Sequence, residues 1–164
     1  MSKHNNMFQR GFTLIELLIV IGIIGVLAGF LFTNFSGVRE RTRDARRKSD
    51  LTQIKNSLRL YYNDYQQYPQ ASSEKIAGCG VGGDEECDWG EVFSAGAGQT
   101  VYMNQLPNDP IETETYTYTY INPDSFQLTA TLENLSDESA SESQLKCGVA
   151  SSSVEPHVFM VCAE

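Results

Sequence analysis

Residues 10–30 read RGFTLIELLIVIGIIGVLAGF, a run in which one carboxylate, Glu16, stands inside otherwise uncharged apolar sequence. From Leu17 to Phe32 there are 16 residues without charge, amide or hydroxyl; extending the run back to Phe12 gives 21, with Thr13 and Glu16 as the polar exceptions. Twenty-one helical residues at about 1.5 Å each span roughly 30 Å, the hydrocarbon thickness of a bilayer, which predicts one membrane crossing. A secretory signal has an apolar region of about 7–15 residues followed by a small-residue cleavage site. Lys3 and Arg10 supply the basic start of such a signal, but the apolar block is longer and runs on into helical pattern. A plain anchor leaves Glu16 unexplained, because a carboxylate in a spanning helix is costly and is retained only with a partner or a route to the interface.

Outward from this run the charge is uneven. Residues 39–59 carry Arg39, Arg41, Arg43, Arg46, Arg47, Lys48, Lys55 and Arg59 against Glu40, Asp44 and Asp50. From residue 60 onward Lys75 and Lys146 face 17 acidic residues, within a total formal charge of −9 over 164 residues. A basic collar thus adjoins an acidic head, in a chain with room for one domain of ordinary size. The collar lacks aromatic interleaving and the head is acidic, which argues against a specific nucleic-acid partner. Its acidic residues lie near basic ones at helical spacing, so a solvated helix face is expected. No proline occurs before Pro69, and Ile54, Leu58, Tyr61 and Tyr65 recur at the spacing of one helical face. One helix over 12–65 is therefore predicted, about 80 Å long if straight. Gly22, Gly25, Gly29 and Gly37 interrupt it and would let neighbouring helices approach closely.

The stretch RGFTLIELLIVIGIIGVLA resembles the N-terminal signature of type IV pilins and of type II secretion pseudopilins. The resemblance strictly covers about the first 40 residues. It implies a leader at 1–11 removed by prepilin peptidase between Gly11 and Phe12, N-methylation of Phe12, and an assembly role for Glu16 opposite the amine of a neighbouring subunit. An inner-membrane assembly platform with its ATPase, further copies of the chain and other pilins are the implied partners. The implied domains are a membrane and assembly half of the helix at 12–35, a basic amphipathic half at 36–66 and an extracytoplasmic head at 67–164. In a filament the collar would also be placed to meet acidic heads of adjacent subunits. Glu16 favours a main subunit over an initiating one. The bias of Lys/Arg toward the cytoplasmic side would by itself keep the collar in the cytoplasm, and the resemblance demands the reverse. LPNDPIETETYTY, residues 106–118, is also similar to a segment preceding the sheet of major pseudopilins.

Cys79, Cys87, Cys147 and Cys162 form no CxxC pair, and His157 is the one histidine after the leader, so no zinc or other metal site is assigned. An even count in an exported head argues for disulfides, with three possible pairings; the expected pairing joins sequence neighbours, Cys79 with Cys87 and Cys147 with Cys162. GVGGDEE, residues 80–86, shares letters with the GGDEF motif of diguanylate cyclases, but the head has neither the length nor the elements of that domain. It reads as an acidic glycine-rich loop, and the carboxylates of Asp84, Glu85, Glu86 and Asp88 do not follow the EF-hand spacing. YTYTYI (116–121) and SFQLTATL (125–132) alternate as strands around an Asn122–Pro123–Asp124 turn, and HVFMVC (157–162) is a third. SDESASESQ (136–144) reads as an exposed loop. The predicted class is α+β and pilin-like: one long N-terminal helix under a small antiparallel sheet. No catalytic set can be assembled, and no cofactor is expected. A structural filament subunit is the favoured function, and a singly anchored extracytoplasmic binding protein or adhesin is the alternative.

Overall fold

The computed structural model describes residues 12–32 and 35–163, with the side chains of 30–32, 35 and 36 excepted. Residues 1–11, the expected leader with Gly11 of the expected cleavage point, lie outside the described residues, as do Thr33 and Asn34. The chain divides into two compact units between Val38 and Arg39.

The first unit contains α1, Leu14–Phe32. Its described side chains are apolar on nearly every face and, apart from the half-buried Ala28, exposed. A helix of this composition is normally enclosed by something apolar. Nineteen residues measure about 28 Å, a little under a bilayer's hydrocarbon core. Among the described residues no helix is long and apolar enough to cross a membrane.

The second unit is built on α2, Phe35–Tyr65, from Arg39 onward, and the expected helix is recovered as two segments flanking the undescribed pair. Asp44, Arg47, Leu51, Ile54, Leu58 and Tyr61 alternate at spacings of three and four, and all six are buried. The apolar stripe read from sequence is thus continued toward the N-terminus by two charged residues. Tyr65 departs from the expected packing face: it is 37% exposed and stacks on Tyr61 with ring centroids 4.3 Å apart, so the buried stripe ends at Tyr61.

Three small antiparallel sheets replace the single sheet expected. β1 (Gln70–Ser72), β2 (Lys75–Cys79) and β3 (Glu85–Glu86) pair in that order. β4 (Phe93–Ala95) pairs with β5 (Thr100–Met103). β6 (Thr117–Asn122), β7 (Ser125–Thr131) and β8 (Val158–Cys162) form the third sheet, in register Tyr118 with Leu128 and Leu128 with Val161. The Asn122 side-chain oxygen accepts the Asp124 N–H at 2.9 Å and tightens the β6–β7 turn. Phe126, Leu128, Ala130 and Leu132 are buried, as the period-two pattern requires. They join Leu51, Ile54, Leu58, Phe93, Tyr116 and Tyr118 in the core.

The segment expected as an exposed loop at 136–144 is largely helical: α3 runs Glu138–Lys146, with Asp137 as its N-cap. Its serine-rich composition gives little intrinsic preference for a helix, and tertiary contacts override that. Ala140, Ser143 and Gln144 are buried. The Gln144 amide donates to the carbonyls of Glu155 and Val158, both at 2.6 Å, and accepts the Glu155 N–H at 3.0 Å. The Ser143 hydroxyl accepts the Met160 N–H at 3.0 Å. Cys147 at the end of α3 is bonded to Cys162 of β8, and Cys79 to Cys87. Bridges closing loops of these lengths contribute about 2–4 kcal/mol each.

Candidate assembly site

Two places concentrate the charged residues singled out by the sequence, one in each unit.

At the start of α1 the Glu16 carboxylate is not bare. One of its oxygens accepts the backbone N–H and the hydroxyl of Thr13, both at 2.9 Å, while the Thr13 hydroxyl accepts the Glu16 N–H at 3.3 Å. This is a capping box, Thr-x-x-Glu, in which each of two otherwise orphaned N–H groups at a helix start donates to the other residue's side-chain oxygen. The positive end of the helix dipole adds to the preference for a carboxylate there. The arrangement removes part of the cost of placing Glu16 beside an apolar run, yet it leaves the negative charge in place at the start of an exposed apolar helix. The pattern was readable as T-x-x-E at 13–16; its role as a cap went unread because the carboxylate invited a partner from elsewhere.

In the collar the expected solvated face holds for Arg39, Arg41 and Arg46, which are exposed, and fails for Asp44 and Arg47, which are buried. Arg47 grips Asp109 through two hydrogen bonds of 2.6 and 2.8 Å. The same guanidinium reaches Asp44 and Glu133, each at 2.8 Å. Arg43 holds Glu133 through both carboxylate oxygens. Asp44 also accepts the N–H groups of Glu133 and Asn134, at 3.0 and 2.9 Å. One turn further along α2, Asp50 accepts the hydroxyl of the buried Tyr116 at 2.8 Å. Among the described residues no buried side-chain nitrogen or oxygen lacks a partner. The hydrogen bonds from Arg43, followed by those from Arg47, hold the Glu133 carboxyl down at about 2. The bonds to Asp109, then Glu133 and Asp44, raise Arg47 beyond its ordinary value against the opposing effect of burial. Planar, two-pronged pairing of this kind suits arginine. The reason the collar escaped a correct reading is that its partners Asp109 and Glu133 lie 62 and 86 residues away in sequence. The one local signal was the Asp44–Arg47 spacing of three.

The acidic loop at 84–88 gathers no such site. Glu86 accepts the Ser72 and Ser73 hydroxyls, and Asp88 pairs with Lys75 at 2.7 Å. Among the described residues no cluster of three His, Cys, Asp or Glu side chains suited to a metal ion is present.

Residues 6–32 match the prokaryotic N-terminal methylation motif. The chain is 32% identical over 115 residues to the type II secretion system core protein G of Escherichia coli K12, covering 70% of this chain and 73% of that one. It is 31% identical over 102 residues to the protein of the same name from Klebsiella pneumoniae, covering 62% and 69%. Against the type IV major pilin protein PilA of Myxococcus xanthus it is 30% identical over 96 residues, covering 58% and 42%. No solved structure matches.

Proposed function

The chain belongs to the type IV pilin and type II secretion pseudopilin family, whose members are structural filament subunits rather than enzymes, and from that premise we propose how it is matured and assembled. Prepilin peptidase cuts between Gly11 and Phe12, and the new amine of Phe12 is methylated. The apolar run beginning at Phe12 holds the subunit in the cytoplasmic membrane, with the head on the extracytoplasmic side. The inner-membrane platform and its ATPase then move the subunit into a cell-surface pilus or a periplasmic pseudopilus, beside copies of itself and other pilins.

The observation that carries this reading is the position of Glu16. It lies four residues after the proposed new terminus and is held by Thr13 at the start of an exposed apolar helix. Exposed apolar surface on that scale calls for an apolar surrounding. Inside such a surrounding an amine and a carboxylate on neighbouring subunits attract strongly, and either alone is costly. The pairing would set one register between subunits.

The test is to produce the full chain with its cognate peptidase and assembly machinery, weigh the mature subunit and collect sheared filaments. The expected mass is that of residues 12–164 plus one methyl group. Glu16→Ala and Glu16→Gln should both be processed and inserted, and neither should polymerise. Glutamine preserves the capping box and removes the charge, so normal filament yield from Glu16→Gln would reduce Glu16 to a cap and overturn its role in assembly.

A further inference from the structure

Both flanks of α2 in the collar carry basic side chains, and beside one of them stand the acidic side chains at the start of α3. Arg39 and Arg46 are seven residues apart on α2, hence on one side of the helix and about 10 Å apart along it. Both are exposed, and Arg46 approaches Asp50 on its own helix at 3.6 Å. Positions 46 and 48 differ by about 200° around the helix, so Lys48 points to the opposite flank. There it binds Asp137, the cap of α3. The groove on that flank is lined by Arg41 and Lys48 from α2 and by Asp137, Glu138 and Glu142 from the α3 side, where acidic side chains outnumber the basic ones. Glu138 and Glu142 are one helical turn apart on α3, and both are exposed. The two flanks thus stand at a similar height on α2 and face away from each other, so they cannot neutralise one another within a single copy.

We propose that the Arg39–Arg46 flank of one copy docks onto the Glu138–Glu142 face of a second copy with their α2 helices parallel. The inference rests on the filament-subunit reading for its setting but not for its geometry. Because the two surfaces are different patches on opposite sides of the same molecule, the contact is head-to-tail: each copy added offers a fresh acidic face and a fresh basic flank, and the array grows without closing on a pair. Complementary charge at such a contact fixes orientation and register more than it adds affinity.

The experiment uses the full chain produced with its assembly machinery. In Arg39→Glu/Arg46→Glu the contact juxtaposes like charges, and sheared filament should fall about tenfold or more. Adding Glu138→Arg/Glu142→Arg to the same chain restores complementarity with the signs exchanged, and filament yield should recover. A second variant, Arg46→Cys/Glu138→Cys, should give an oxidation-dependent ladder of linked copies that neither single cysteine variant gives. Filaments that are indifferent to the arginine reversal and yield no ladder would overturn the contact and leave the subunit assignment standing. A ladder obtained without filaments would uphold the contact and count against the assignment.

Discussion

In α1 the side chains from Leu14 to Leu27 lie open, and a Cβ added at Gly22, Gly25 or Gly29 would meet nothing within 4 Å. In the head the same addition at Gly78 would fall 2.5 Å from the Pro69 Cβ. The contrast extends to charge. Glu16 finds its hydrogen bonds within its own first helical turn, whereas Arg47 draws three carboxylates from three separate segments of the second unit. One region is locally satisfied and globally unfinished; the other closes on itself, down to its buried ions. Substitutions in α1 should therefore be read out in assembly, and substitutions in the head in subunit stability.

The largest expected effect is at Arg47. Arg47→Ala leaves Asp44, Asp109 and Glu133 without their shared cation, and removing one member of a buried ionic cluster costs about 3–5 kcal/mol. Urea unfolding of the full chain in detergent, followed by tyrosine fluorescence, should show a correspondingly lower midpoint; an unchanged midpoint would mean that water replaces the guanidinium at little cost. An intermediate effect separates two glycines. Gly78→Ala must push against Pro69 and should cost about 1–3 kcal/mol by the same measurement, as overpacking does. Gly25→Ala should leave subunit unfolding untouched and act only on helix approach in the assembled state.

The smallest effect is a pH dependence. The Glu133 carboxyl is held at about 2, below its ordinary value, by its arginine partners. A group depressed in the folded state stabilises that state at pH above its unfolded value, and the contribution is lost as pH falls through the folded value. The loss attributable to Glu133 should therefore develop between its ordinary value of 4.5 and about 2. Glu133→Gln should flatten the acid limb of a thermal-unfolding profile in that window, and an identical limb in the variant would show that other carboxylates carry it.

Where the pattern was local, reading the sequence reached the structure. The β6–β7 hairpin and the inward set Phe126, Leu128, Ala130 and Leu132 depend on neighbours two positions apart or on one tight turn. Misreadings fell where the partner was remote. Arg47 looked like one more collar cation, and α3 like a serine-rich loop, because Asp109, Glu133, Glu155 and Met160 are far away in sequence.

By itself the sequence determined an apolar N-terminal helix with its acidic cap, a basic stretch following it, a strand-rich acidic remainder and four cysteines, since composition and short-range periodicity depend only on adjacent residues. The tertiary structure alone decided which collar charges turn inward, that the head is three small sheets, and that a weak helix-former at 138–146 is helical. Those choices rest on desolvation, pairing and burial by distant segments, which become defined only when the chain has closed.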